Sequence, residues 1–259
     1  MNKLDELFNR KKNNILNIYC TAGYPEIDSL YNVIPALQQH GADIIEVGIP
    51  YSDPIADGPI IQHSNMQALQ NGMTIKLLFL QLNHLKENSS IPVMLMGYLN
   101  PVLQFGIEAF CAEASSAGVS GIILPDLPMH EYETVYKAVF LKYNLHFIFL
   151  ISPQTSEERI VKADKLSSGF LYAVSSSATT GNNNSFDDQE AYFKRLEGMK
   201  LKNPILIGFG IKDKHTFDTA CKYAAGAIIG SAFIKAITGS ANISDDTALF
   251  INAIKNGEL

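Results

Sequence analysis

Cysteine is scarce in this sequence: Cys20, Cys111 and Cys221 are the three in 259 residues, widely spaced and without a CxxC pair. That argues against a disulfide frame or a cysteine zinc site, and points to reduced thiols in a cytoplasmic protein. Excess positive charge is missing as well. With 20 Lys and Arg against 26 Asp and Glu the formal charge is -6, which leaves no electrostatic footprint for nucleic acid or for an anionic membrane surface. No apolar run reaches membrane-spanning length. The opening MNKLDELFNRKKNN puts charges where a secretory signal needs an apolar stretch, so no such signal is expected.

What is present is enough apolar material for a large core: 47% hydrophobic residues and 18% charged exclude a disordered chain. Short apolar runs alternate with longer amphipathic stretches from end to end. Strands are expected at 15–20, 43–49, 91–97, 120–124, 146–151, 169–174, 204–209 and 226–229, with helical patterns between them. Successive right-handed crossovers make such a sheet parallel and bury both of its faces, which permits strands that are apolar throughout. Eight regular units without a nucleotide fingerprint favour an α/β chain folded as a (β/α)₈ TIM barrel over a doubly wound open sheet, in a single domain over 1–259. Leu4, Leu7 and Phe8 stand at helical spacing, so an extra N-terminal helix is expected to close the bottom of the barrel. The polar stretch 175–188, after the sixth predicted strand, reads as a mobile loop or lid.

Active sites of barrels lie at the C-terminal ends of the strands. In the second predicted strand Ile44, Glu46 and Gly48 share one face, while Ile45, Val47 and Ile49 share the other. The branched face suits packing on helices, so Glu46 points into the barrel. A carboxyl group there is desolvated and able to take and give a proton near neutral pH. The competing reading is a structural pairing with lysine, but no lysine sits inside or at the upper end of a predicted strand. The following loop, 50–59, carries Asp53 and Asp57. Either suits ordinary turn chemistry, but a second carboxylate beside Glu46 would give a pair with separable roles.

Glycines after the seventh and eighth predicted strands, Gly208-Phe209-Gly210 and Gly230-Ser231, let backbone N–H groups approach an anion, with a short helix starting at Ser231. Gly181 is a candidate to complete that cradle. No Arg or Lys is read at these strand ends, so the helix start is expected to supply much of the attraction. Tyr19, Met96, Tyr98, Leu124, Tyr172 and Phe209 sit at upper strand ends and together suggest a flat apolar group bound beside a phosphate. A Schiff-base aldolase would need an inward lysine, and a metal enzyme would need converging ligands. The six histidines fall in helices, loops or strand starts. Proton transfer without metal or cofactor is the expected chemistry.

The run Ile45-Glu46-Val47-Gly48-Ile49-Pro50-Tyr51-Ser52-Asp53-Pro54-Ile55-Ala56-Asp57-Gly58-Pro59 closely resembles the signature of the tryptophan synthase alpha subunits. The resemblance continues in order through Tyr98-Leu99-Asn100-Pro101, Leu124-Pro125-Asp126-Leu127-Pro128, Thr179-Thr180-Gly181, Gly208-Phe209-Gly210-Ile211 and Ile229-Gly230-Ser231-Ala232. It implies a lyase of tryptophan biosynthesis that cleaves indole-3-glycerol phosphate to indole and glyceraldehyde 3-phosphate. Glu46 then matches the catalytic glutamate, Asp57 the aspartate that meets the indole N–H, and Tyr172 a tyrosine lining the site. Gly181, Gly210, Gly230 and Ser231 match the phosphate cradle, with Tyr19, Tyr98, Thr180 and Phe209 as further substrate contacts. The implied partner is the pyridoxal-phosphate-dependent beta subunit in an αββα heterotetramer, docking near Pro50, Asp53, Asn100 and Pro128.

Three residues depart from the family pattern. Ser176 stands where many relatives carry arginine, Ala178 where glycine is common, and Tyr19 where phenylalanine often lines the indole pocket. The alternatives kept open are a stand-alone indole-3-glycerol-phosphate lyase without a beta partner, a phosphate-binding barrel isomerase or indole-glycerol-phosphate synthase, and a barrel retained only to activate its partner. The essential lysines of the synthase have no counterpart here, and intact Glu46 and Asp57 argue against the last.

Overall fold

A computed structural model describes residues 2–174, 186–208 and 210–257, without the side chains of 186–189. Nine parallel strand segments form its sheet: β1 (Ile15–Thr21), β2 (Ile44–Gly48), β3 (Val93–Met96), β4 (Val119–Ile123), β5 (His146–Ile148), β6 (Leu150–Ile151), β7 (Leu171–Val174), β8 (Ile205–Gly208) and β9 (Gly226–Ile229). Their spatial order is β5-β4-β3-β2-β1-β9-β8-β7-β6. The two ends of that series are consecutive pieces of one stretch. β4 pairs with the first piece (Gly121 opposite His146) and β7 with the second (Leu150 opposite Tyr172). Eight strands therefore close into the expected barrel, one of them broken in the middle.

The break at Phe149 is the main departure from the expected strand 146–151, and it has a local cause. The Phe149 N–H donates to Ser167 Oγ at 2.9 Å, while its carbonyl accepts from Tyr172 N at 3.1 Å. A side chain thus takes the place of a backbone partner on one side. Both faces of the strands are buried, because helices cover the outside and side chains fill the interior.

The N-terminal helix Lys3–Arg10 closes the lower end, as its apolar spacing requires. Leu4, Leu7 and Phe8 are all buried, each worth about 1.5–3 kcal/mol on leaving water. Asn2 caps the helix by accepting from Leu4 N at 2.9 Å, and its Nδ2 donates to the carbonyls of Ser120 (2.8 Å) and Asn144 (3.0 Å). One side chain both starts the helix and ties it beneath β4 and β5. Asp5 reaches His146 at 3.1 Å, and a Cβ on Gly169, just before β7, would meet Leu4 Cδ2 at 2.6 Å.

The helix Phe186–Gly198 begins inside the stretch expected as a loop, shortening that expectation at its C-terminal end. The rest of the expected lid, including Ser176 and Ala178, lies outside the described residues. Among the described residues no helix is long and apolar enough to cross a membrane.

Candidate active site

A cavity of about 480 Å³ opens at the C-terminal ends of the strands. Its floor is set by the alternation of β1 and β2. Glu46 is opposite Tyr19 on β1 and Met94 on β3, and its side chain is fully buried yet lines the cavity. Oε2 accepts from Asn17 Nδ2 at 3.1 Å, and Oε1 has no partner among the described residues. Burial pushes the Glu46 carboxyl up to about 8; the Asn17 bond opposes the rise and the nearby Asp57 adds to it.

Asp57 comes from the loop before the helix Pro59–Gln70 and is also buried on the cavity wall. Its carboxylate is not engaged in a turn. Oδ2 accepts from the Tyr98 hydroxyl at 2.8 Å, and that hydroxyl accepts in turn from Ala56 N at 3.0 Å. Burial raises Asp57 to about 6, held back by the Tyr98 bond. Burial thus displaces the two carboxyls unequally, holding the proton more firmly on Glu46 than on Asp57. Tyr98 stands behind Asp57 rather than on the cavity wall, and Leu124 belongs to the surrounding core.

Tyr19 and Tyr172 line the cavity, and each ring rests on a glycine of the next strand. A Cβ at Gly48 would stand 2.1 Å from Tyr19 Oη, and one at Gly208 would stand 2.5 Å from Tyr172 Cε1. Those contacts are far below van der Waals distance, so neither position takes a side chain while the rings stay where they are. Gly208, read from sequence as part of an anion loop, is instead the seat of a tyrosine. Burial pushes both phenols well above their ordinary range, with the two carboxyls adding to the effect, so both remain neutral hydroxyls.

At the other end the cavity is lined by Gly210, Gly230 and Ser231, as the glycine pattern anticipated. Gly210 takes φ +78, in the left-handed region that favours glycine. Gly230 caps the helix Ser231–Ile237 without a side-chain bond, and the first helical hydrogen bond is Ile234 N to Gly230 O at 3.0 Å. The N–H groups of Ser231 and Ala232 thus have no acceptor within the helix, and both residues line the cavity. Thr180, Gly181 and Phe209 lie outside the described residues.

Two cations at this end escaped the sequence reading, which found no Arg or Lys there. Lys212 and Lys235 both line the cavity. The signal was present: Lys235 follows Ser231 by four residues, one helical turn on the same face, and Lys212 is two residues beyond Gly210. Asn17 was also missed, although it shares the inward phase of Tyr19 and Thr21. No cluster of three or more His, Cys, Asp or Glu is placed to hold a metal among the described residues.

Known proteins resemble this chain along nearly its whole length. The family model described as tryptophan synthase alpha chain matches residues 5–256. The tryptophan synthase alpha chain of Bacteroides thetaiotaomicron is 50% identical over 235 residues, covering 90% of this chain and 92% of the relative. That of Flavobacterium johnsoniae is 51% identical over 241 residues, 93% and 95% respectively. Among solved structures, tryptophan synthase subunit alpha of Legionella pneumophila superposes with a TM-score of 0.88 at 32% identity, over 98% of this chain and 97% of that one. A chain of tryptophan synthase from M. tuberculosis, in its aminoacrylate-bound form, gives 0.85 at 28% identity over 98% and 100%. In sequence and in fold, the chain belongs to the tryptophan synthase alpha chain family.

Proposed function

We propose that this chain is a carbon–carbon lyase that cleaves indole-3-glycerol phosphate to indole and glyceraldehyde 3-phosphate for tryptophan biosynthesis. One observation carries the reading: a single cavity holds two buried carboxyl groups at one end, and two lysines with the start of the helix Ser231–Ile237 at the other. A dianionic phosphate takes the second end. The indole lies against Tyr19, Met96 and Tyr172, facing the carboxyls.

The proton balance closes on Glu46. Its acid form gives a proton to indole C3, and the positive charge spreads to N1, whose N–H donates to ionised Asp57. Glu46, now a carboxylate, takes the proton of the adjacent glyceryl hydroxyl. The C3–carbon bond breaks, its electron pair returns to the ring, and an aldehyde forms on the departing fragment. Indole leaves neutral and Glu46 ends protonated, as it began. Tyr98 contributes by holding Asp57 in place at 2.8 Å. Every step uses side chains alone.

The family reading includes the beta subunit as partner, in an α₂β₂ heterotetramer, and the cytoplasm as location, where the three free thiols stay reduced. The loop beyond β2 supports a docking rim there, since Ile55 is 77% exposed within it. Incubating the purified chain with indole-3-glycerol phosphate and separating released indole from the remaining substrate by chromatography tests the reaction directly. Slow release alone and faster release with the beta subunit supports the assembly. An equal rate with and without it favours the stand-alone lyase, and no indole in either sample overturns the reading.

A further inference from the structure

Asn17 lies in the middle of β1, fully buried in a strand that is otherwise largely apolar. An amide is costly there. Leucine has the same branched skeleton with no polar group to satisfy, whereas Asn17 Oδ1 has no partner among the described residues, a deficit of about 1–3 kcal/mol for a buried acceptor. What the amide does make is one bond, from Nδ2 to Glu46 Oε2 at 3.1 Å. Glu46 depends on it in turn, because Oε1 has no partner among the described residues.

We propose that Asn17 is a positioning residue for the lyase reaction: it tethers Oε2 of Glu46 and leaves Oε1 as the oxygen presented to the substrate. This rests on Glu46 being the proton carrier. The terminal torsion of a glutamate is broad and nearly two-fold, so an untethered carboxyl sweeps both oxygens through many orientations. One fixed oxygen removes that freedom and leaves the other aligned. The tether also acts on the proton. Burial and Asp57 both hold the proton on Glu46, and the donated amide bond draws the other way by favouring the carboxylate. The remaining ionisable groups that feel Glu46 are Tyr19 and Tyr172, which line the cavity with it, and Cys20 on the other face of β1, all pushed up and uncharged, while Lys212 and Lys235 line the same cavity. Asn17 thus eases the departure of a proton that its surroundings otherwise retain.

Asn17→Leu tests this, with Glu46→Gln in parallel. The expected result is a fall in kcat of about tenfold or more with KM nearly unchanged, and an alkaline limb of the pH profile displaced upward by about half a unit or more. Carbon-13 NMR titration of the Glu46 carboxyl, without substrate, should move the same way and reads the contact independently of catalysis. If Glu46→Gln turns over normally, the Glu46 reading falls. If Glu46→Gln is inactive while Asn17→Leu titrates and turns over like the parent, the tether alone is overturned. Should Asn17→Leu not fold, the same titration on Asn17→Ser decides: an upward shift supports the tether and an unchanged curve rejects it.

Discussion

The ring of Tyr172 occupies the space that a side chain at Gly208 would need: a Cβ there would lie 2.5 Å from Cε1 and 2.6 Å from Oη. Gly208→Ala therefore forces the ring toward the cavity, at about 1–3 kcal/mol for overpacking, with a loss of substrate affinity. In a Tyr172→Ala background the same change should cost far less. Thermal unfolding of the four proteins in the cycle measures the coupling, and strictly additive effects would refute the contact.

Activity should trace a bell against pH. The reactive form needs ionised Asp57, raised to about 6, and protonated Glu46, raised to about 8. The logarithm of kcat/KM should climb through the first value, where the substrate's phosphate also titrates, and decline above the second. A rate that stays level from pH 7 to 10 would remove the acid role of Glu46.

Glu46→Gln should lower turnover by about 10²–10⁴ and at the same time stabilise the fold. The parent carboxyl has a folded value of about 8 against 4.5 in an exposed setting, so the native state binds the proton more tightly than the unfolded one. Stability from this group is fully present below 4.5 and lost as pH rises through about 8, a change on the order of 5 kcal/mol. Glutamine has no proton to lose. Urea denaturation at pH 5 and pH 9 should show the stability gap in favour of the variant widening with pH, and a constant gap would count against the buried acid.

Lys235→Met and Lys212→Met should each raise KM and weaken inhibition by inorganic phosphate by about three- to thirtyfold, with a smaller change in kcat. Added salt should weaken phosphate binding less in the variants than in the parent. Gly230→Asp, which sets a negative side chain at the same end, should abolish phosphate binding. Equal inhibition constants across the set would place the anion elsewhere.

The barrel and one carboxyl were legible from strand phase alone, because a strand's side chains alternate and one face of 43–49 is uniformly branched. That logic placed Glu46, and the glycine pattern placed Gly210, Gly230 and Ser231. What escaped depends on neighbours distant in the chain. The seats at Gly48 and Gly208 exist only because a tyrosine on the preceding strand leans two residues forward. The bond from Tyr98 to Asp57 spans 41 positions, and nothing local announces it. The strand break needed Ser167, whose hydroxyl meets Phe149 only after the barrel has formed. Lys235 was within reach, since helical spacing from Ser231 predicts its side.

The interrupted strand at Phe149 has one more consequence. A cylinder of paired strands is only as firm as its least bonded joint, and here that joint falls between β5 and β6, the ends of the ladder order. Those ends are separated in the chain by Phe149 alone, so the gap in the wall is spanned by covalent backbone. The joint lies across the ring from β1, leaving the strands that bear Asn17, Tyr19 and Glu46 in an unbroken arc of hydrogen bonds. The arc that carries the acid is thereby left whole, and on the opposite side the backbone itself acts as the staple.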